Sequence, residues 1–258
     1  MTTFSFEGKT VLVTGANRGI GFAVAREFAQ AGANLMVLSE DAAIADAAQE
    51  LETLSGHSVV PLHCDIADRV AVSGAFEQIE HLDVLVNNAG LQYLTPIDEA
   101  GDAVEDRFRR VIDVNVNGSF YVTREALPRM ESGGRILFTA SVWSKTAVSG
   151  YSGYCASKHA VLGMLRSLAQ ELGPRAITVN GVCPGWVNTA GAMDELEADA
   201  KRLGISEGEL IDTALSRQAL PGMQEPVDMA STYLFLASDA AANITGQTIH
   251  CDRGEMMD

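Results

Sequence analysis

Cysteine is scarce in this chain. The four present, Cys64, Cys155, Cys183 and Cys251, lie scattered along 258 residues without metal-ligand spacing, and the five histidines are just as dispersed. No metal site is expected, and Cys64 and Cys183, near the ends of apolar runs, read as buried free thiols. Basic residues are outnumbered, 18 Lys and Arg against 34 Asp and Glu, for a formal charge of -16. That balance opposes binding to nucleic acid or to an anionic membrane, and it disfavours docking to an acidic carrier protein. No Pro-, Gly- or Ser-rich linker interrupts the sequence, so residues 1–258 are expected to form one domain. The amino-terminal stretch lacks the basic region and apolar run of a signal peptide. No apolar stretch is long enough to span a bilayer. A soluble cytoplasmic protein is expected, and 47% hydrophobic with 20% charged residues suits a sizeable core.

What is present is a regular alternation. Lys9 to Val13 reads as a buried strand and enters the turn Thr14-Gly15-Ala16-Asn17-Arg18-Gly19-Ile20-Gly21. A helical pattern through Phe22, Val24, Ala25 and Phe28 ends at Gly32, and the strand Asn34 to Leu38 follows. Further strands are expected at Ser58 to His63, Leu82 to Val86, Arg135 to Thr139, Ile177 to Val182 and Thr248 to Cys251. Helices are expected at Asp41 to Leu54, Ala67 to Ile79, Asp102 to Val116, Ser119 to Met130 and from Tyr154 to Leu172. The pattern predicts a Rossmann-type α/β fold, a doubly wound parallel sheet of about seven strands covered on both faces. Trp186 to Leu220 breaks the rhythm with two helical segments, Met193 to Leu203 and Glu207 to Gln218. Ser206 and Glu209 form a capping-box pattern for the second. An insertion beside a strand's carboxyl end, over about 186–220, predicts a lid.

Gly15, Gly19 and Gly21 sit between a strand and a helix, where a tight turn and free helix N–H groups suit a pyrophosphate. Their spacing is G-x-x-x-G-x-G rather than the usual dinucleotide fingerprint. Cys64-Asp65-Ile66 and Asn87-Asn88-Ala89-Gly90 follow two other strands, at the carboxyl ends where open α/β sheets bind ligands. Taken singly, Asp65 and Asn87 also suit ordinary turns or caps. Tyr154 and Lys158 are four apart on one helix face. An ammonium beside a phenol favours the phenolate and lowers its pKa, which predicts a proton donor and acceptor for an alcohol or carbonyl. Ser141 can hydrogen-bond the same oxygen.

Together these motifs resemble the short-chain dehydrogenase/reductase family, from Lys9 to Gly254. The resemblance rests on Thr14-Gly15 through Gly19-Ile20-Gly21, Asn87-Asn88-Ala89-Gly90, Asn115, Ser141, Tyr154 through Lys158, and Pro184-Gly185, all in order. It implies that Tyr154 is the general acid/base and that Lys158 binds the nicotinamide ribose and lowers the Tyr154 pKa. It implies that Ser141 holds the substrate oxygen and Asn115 supports a water linking Lys158 to solvent. Asp65 would touch the adenine, Asn88 would support the turn near the ribose, and Thr189 would contact the nicotinamide carboxamide. The wider cofactor set is Gly15, Asn17, Arg18, Gly19, Ile20, Gly21, Ser39, Glu40, Asp65, Ile66, Asn88, Ala89, Gly90, Tyr154, Lys158, Pro184, Gly185, Val187 and Thr189. The family resemblance also implies a homotetramer or homodimer through the helices at Ser119 to Met130 and Ser152 to Leu172.

At the end of the second strand, Ser39 stands where NAD-dependent members most often place Asp, and Glu40 where many NADP-dependent members place Arg. Arg18 resembles an NADP feature. Glu40 and Asp41 together favour NAD, with NADP open. Gln92, Trp143, Tyr151, Trp186 and Met193, with Ser144, are candidates for lining the substrate pocket. Gln92 and the segment Leu203 to Leu210 resemble D-3-hydroxybutyrate dehydrogenases. Tyr151 and Trp143, however, replace the Lys and His with which those enzymes hold a carboxylate, and an unpaired carboxylate is costly to desolvate. The expected reaction is hydride exchange between a nicotinamide cofactor and a secondary alcohol or ketone in a small polyol, sugar or hydroxyketone. The alternatives are an NADPH-dependent 3-oxoacyl-thioester reductase and a non-catalytic nucleotide-binding sensor.

Overall fold

Residues 4–257 are described by the computed structural model. Its strands are β1 (Thr10–Thr14), β2 (Asn34–Ser39), β3 (Val59–His63), β4 (Val84–Asn87), β5 (Arg135–Thr139), β6 (Thr178–Pro184) and β7 (Thr248–Cys251). All pair in parallel, in the order β3-β2-β1-β4-β5-β6-β7. The helices are α1 (Gly19–Gln30), α2 (Ile44–Ser55), α3 (Arg69–Phe76), α4 (Ala103–Ile112), α5 (Ser119–Ala126), α6 (Ser152–Leu172), α7 (Ala190–Leu203), α8 (Glu207–Leu215) and α9 (Ala230–Ala237).

Side chains of a strand alternate between faces, and β1 shows how this builds two cores. Val11 and Val13 pack with Val24 and Phe28 of α1, Leu51 of α2 and Tyr233 of α9. Leu12, between them, packs on the other face with Phe76 of α3, Val122 of α5 and Leu165 of α6. A strand buried on both faces reads as a continuous apolar run, which is what Thr10–Thr14 is. β1 lies between β2 and β4, where the chain's direction of travel across the sheet reverses. The carboxyl ends of β1 and β4 therefore diverge into a crevice.

The helix before β5 differs from expectation. Instead of separate stretches ending at Val116 and starting at Ser119, α4 passes into a π turn, Asp113–Gly118, that leads directly into α5. One such turn inserts a residue into the helix and re-aims a side chain. Here the re-aimed residue is Asn115. The Ser206–Glu209 capping box opens α8: Glu209 N–H donates to Ser206 Oγ at 3.2 Å and Ser206 N–H to the Glu209 carboxylate at 2.9 Å.

Candidate active site

The crevice floor is knit by Thr14 and Asn88. Thr14 Oγ1 accepts from the Asn88 and Ala89 N–H groups at 3.0 Å each, and Asn88 Nδ2 donates to the Thr14 and Gly15 carbonyls at 3.0 and 3.1 Å. The chain must pass closely there. A Cβ on Gly15 would sit 2.7 Å from Ala89 Cα, and one on Gly21 only 2.1 Å from the Gly15 carbonyl oxygen. The glycines at 15 and 21 are thus required by the turn's own packing, whereas Gly19, at φ +59°, faces Thr189 across the crevice mouth. Thr189 caps α7, accepting from Ala192 N–H at 3.2 Å.

From this floor a cavity of about 820 Å³ runs between two ends. At one end Ser39 Oγ donates to Asn17 Oδ1 at 3.1 Å, and Asn17 Nδ2 reaches Asp41 at 3.3 Å. Glu40 is held by Arg110 of α4 at 2.5 Å, and the same guanidinium grips Asp65 at 2.9 Å. Asp65 also caps its own turn through Ala67 N–H at 2.9 Å.

At the other end lie Ser141, Tyr154, Lys158 and Asn115. Ser141 caps a short 3-10 turn, Val142–Ser144, its Oγ accepting from Trp143 N–H at 3.1 Å, and lies near enough to the Tyr154 phenol to favour its ionised form. Trp143 packs edge-on to Tyr154 at 5.8 Å and against Tyr151 at 5.6 Å. Lys158 is buried, its ammonium 5.4 Å from the Tyr154 ring centroid and donating to the Thr139 carbonyl at 2.8 Å. Asn115 Nδ2 donates to the Leu91 carbonyl at 2.8 Å and Ser157 Oγ at 2.9 Å, while its Oδ1 accepts from Leu91 N–H at 2.7 Å. The π turn makes this possible by turning Asn115 toward the strand end.

The expectation that Lys158 lowers the Tyr154 pKa does not describe the protein alone. Burial pushes the Tyr154 phenol up, against a lowering contribution from Ser141. Burial also pulls Lys158 down to about 8. Desolvation is the largest cause for both groups, and the hydrogen bond the Lys158 ammonium is seen to make goes to the Thr139 carbonyl.

A family model described as enoyl-(acyl carrier protein) reductase matches residues 15–255. A D-beta-hydroxybutyrate dehydrogenase of Rhizobium meliloti is 34% identical over 257 residues, spanning 95% of this chain and 98% of the relative. A 2-dehydro-3-deoxy-D-gluconate 5-dehydrogenase of Pseudoalteromonas atlantica is 34% identical, spanning 98% of both. The crystal structure of a short chain dehydrogenase from Burkholderia cenocepacia in complex with NADP is similar at a TM-score of 0.85, with 31% identity over 97% of this chain and 98% of that one.

The chain is a short-chain dehydrogenase/reductase. It is an NAD(P)-dependent oxidoreductase of that family.

The residues of this short-chain dehydrogenase/reductase fit a nicotinamide dinucleotide: a glycine turn opens α1 at one wall, and one continuous cavity joins Ser39 and Asp65 to Ser141 and Tyr154. Gln92, Trp143, Tyr151 and Trp186 all line that cavity. Two candidates do not. Ser144 is buried and donates to no substrate space; its Oγ accepts from Ser141 N–H at 3.1 Å, so it orients Ser141. Met193 lies off the cavity wall, because the face of α7 turned inward carries Asp194, Glu195, Ala198 and Asp199. Sequence reasoning missed those acids, Arg110, and the chain Asn88–Thr139–Tyr233. In that chain Thr139 Oγ1 donates to Asn88 Oδ1 at 3.0 Å and meets Tyr233 Oη at 2.7 Å. Among the described residues no cluster of His, Cys, Asp and Glu is placed to hold a metal, and no helix is long and apolar enough to cross a membrane.

Lys158 carries a stability consequence. Its pKa is lowered from 10.5 to about 8 in the fold, equivalent to about 3 kcal/mol of differential stability. The folded state therefore binds this proton less tightly than the unfolded chain. The destabilisation is present in full below the folded value and is relieved as pH rises through the interval from about 8 to 10.5. Urea midpoints of the wild type and Lys158→Met should show the wild type gaining on the variant between about pH 7 and about pH 10. A pH-independent difference would mean that Lys158 is not depressed.

Proposed function

We propose that this enzyme exchanges a hydride between NAD and a secondary alcohol or ketone in a small neutral polyhydroxy substrate: a polyol, sugar or hydroxyketone. The observation that carries the reading is that Ser141, Tyr154 and Lys158 line the same cavity as the glycine turn. When bound, the nicotinamide supplies or accepts the hydride. Tyr154 takes the proton from an alcohol or gives it to a ketone, and Ser141 holds the reacting oxygen. Lys158 supplies positive charge beneath the phenol, and Asn115 fixes the Leu91 backbone and Ser157 around it. Gly15, Asn17, Arg18, Gly19, Ile20 and Gly21 bind the pyrophosphate side. Ser39, Glu40, Asp65, Ile66, Asn88, Ala89 and Gly90 bind the adenosine and ribose side, and Pro184, Gly185, Val187 and Thr189 the nicotinamide. Residues 186–220 form the lid over a single domain. The same reading includes a cytoplasmic homotetramer or homodimer, on the family resemblance.

NAD is favoured over NADP by charge. The carboxylates of Glu40, Asp41 and Asp65 surround Ser39, against Arg18 and Arg110, and Arg110 is already engaged by two of them. A 2′-phosphate dianion would add charge of the majority sign. Nicotinamide absorbance tests both points. NAD with polyols, sugars and hydroxy acids should give turnover, with 3-hydroxybutyrate weak and NAD favoured at least about tenfold, roughly 1.4 kcal/mol. Turnover confined to NADPH with an acetoacetyl thioester would replace this reading with a biosynthetic reductase.

A further inference from the structure

Trp143, Tyr151, Trp186 and residues of α7 all line the cavity. Two carboxyl groups of α7, one turn apart, differ in how they are satisfied. Asp199 is fully engaged: Oδ2 accepts from Tyr151 Oη at 2.8 Å and Oδ1 from the Arg202 guanidinium at 3.0 Å. Glu195 is half-buried, lines the cavity and has no hydrogen bond or ion pair among the described residues. It is close enough to act electrostatically on both Tyr151 and Tyr154. A half-buried carboxyl that makes no hydrogen bond to the protein and keeps its oxygens open to the cavity is free to hydrogen-bond what enters it.

We infer that Glu195 is the specificity-determining residue of this site and that it hydrogen-bonds a second hydroxyl of the substrate, next to or one carbon beyond the carbinol that reacts. Burial, with Asp199 and Asp194 beside it, pushes the Glu195 carboxyl up to about 8. Near neutral pH it is therefore mostly protonated and can donate to one hydroxyl while accepting from another. Asp194 and Asp199 stand beside it, so a substrate carboxylate placed there meets charge of its own sign. The inference deepens the polyol reading above and rests on it.

Four alcohols that share one reacting end separate the possibilities: 2-butanol, 1,3-butanediol, 4-amino-2-butanol and 3-hydroxybutyrate. The holoenzyme with NAD should prefer the diol in kcat/KM and use 3-hydroxybutyrate least. In Glu195→Leu the diol-to-butanol ratio should fall at least about tenfold. In Glu195→Gln, which keeps a donor and an acceptor, the ratio should be largely retained. An unchanged ratio in Glu195→Leu overturns the inference. So does a preference for the amine that Glu195→Gln destroys, since that would make Glu195 a charged partner for an ammonium. If the wild type oxidises none of the four, it is the alcohol reading that fails, and Glu195 is then tested by binding. The chain's two tryptophans, Trp143 and Trp186, both line the cavity. Their fluorescence should change when erythritol is titrated into the enzyme with NAD. Loss of that change in Glu195→Leu, with recovery in Glu195→Gln, supports the inference; an equal change in all three overturns it.

Discussion

Tyr154→Phe is expected to lower turnover by about 10²–10⁴-fold, the range for loss of a positioned general acid or base, and to leave cofactor affinity nearly unchanged. The substitution removes one oxygen. The ring keeps its edge contact with Trp143 at 5.8 Å and its place 5.4 Å from the Lys158 ammonium. Tyr154 Oη makes no hydrogen bond within the described residues that would be lost, and Ser141 keeps its own anchor, accepting from Trp143 N–H at 3.1 Å. The fold should therefore survive, and the effect should fall on kcat. Steady-state rates with fluorescence titration of cofactor check this. A variant that kept even a tenth of wild-type turnover would remove Tyr154 from the reaction. A protein that kept its biological role with Phe at 154 would be a nucleotide sensor rather than an enzyme.

Gly21→Ala is expected to be the most damaging single-methyl change to the cofactor site. The added carbon would lie 2.1 Å from the Gly15 carbonyl oxygen and 2.4 Å from Asn88 Nδ2. The first neighbour is backbone and the second is held by two carbonyls, so neither can yield without moving the turn. Overpacking of this kind costs about 1–3 kcal/mol. A displacement of about 1 Å in a positioning element costs on the order of 10²-fold in function. Both the unfolding midpoint and NAD affinity should fall. Gly74→Ala, inside α3 where an added Cβ meets nothing within 4 Å, is the control. There the helix should gain about 0.5–1 kcal/mol. If Gly21→Ala behaves like Gly74→Ala, the close approach of β1 and β4 is not a constraint.

The role proposed for Tyr154 follows from a four-residue spacing to Lys158, a local pattern that helix geometry converts directly into a shared face. The requirement for glycine at 21 was legible as a type of residue in a type of turn. Its cause was not, because Asn88 reaches that turn from another strand.

The sequence by itself determined the succession of strands and helices, the glycine turn, the capping box at Ser206, and the family. Each of those depends on residues within a few positions of one another, or on motifs in order. Tertiary structure alone decided what happens where distant segments meet. Arg110 reaches Glu40 from 70 residues away, and Thr139 meets Tyr233 across 94. Asn115 reaches its partners through a π turn that periodicity does not announce. Glu195 and Asp199 have an ordinary exposed-helix spacing, and only the packing of α7 over the sheet's carboxyl edge turns them inward. The direction of the Tyr154 and Lys158 pKa shifts also belongs to tertiary structure. Charge proximity can be read from spacing, but desolvation, which wins here, depends on everything that covers the pair.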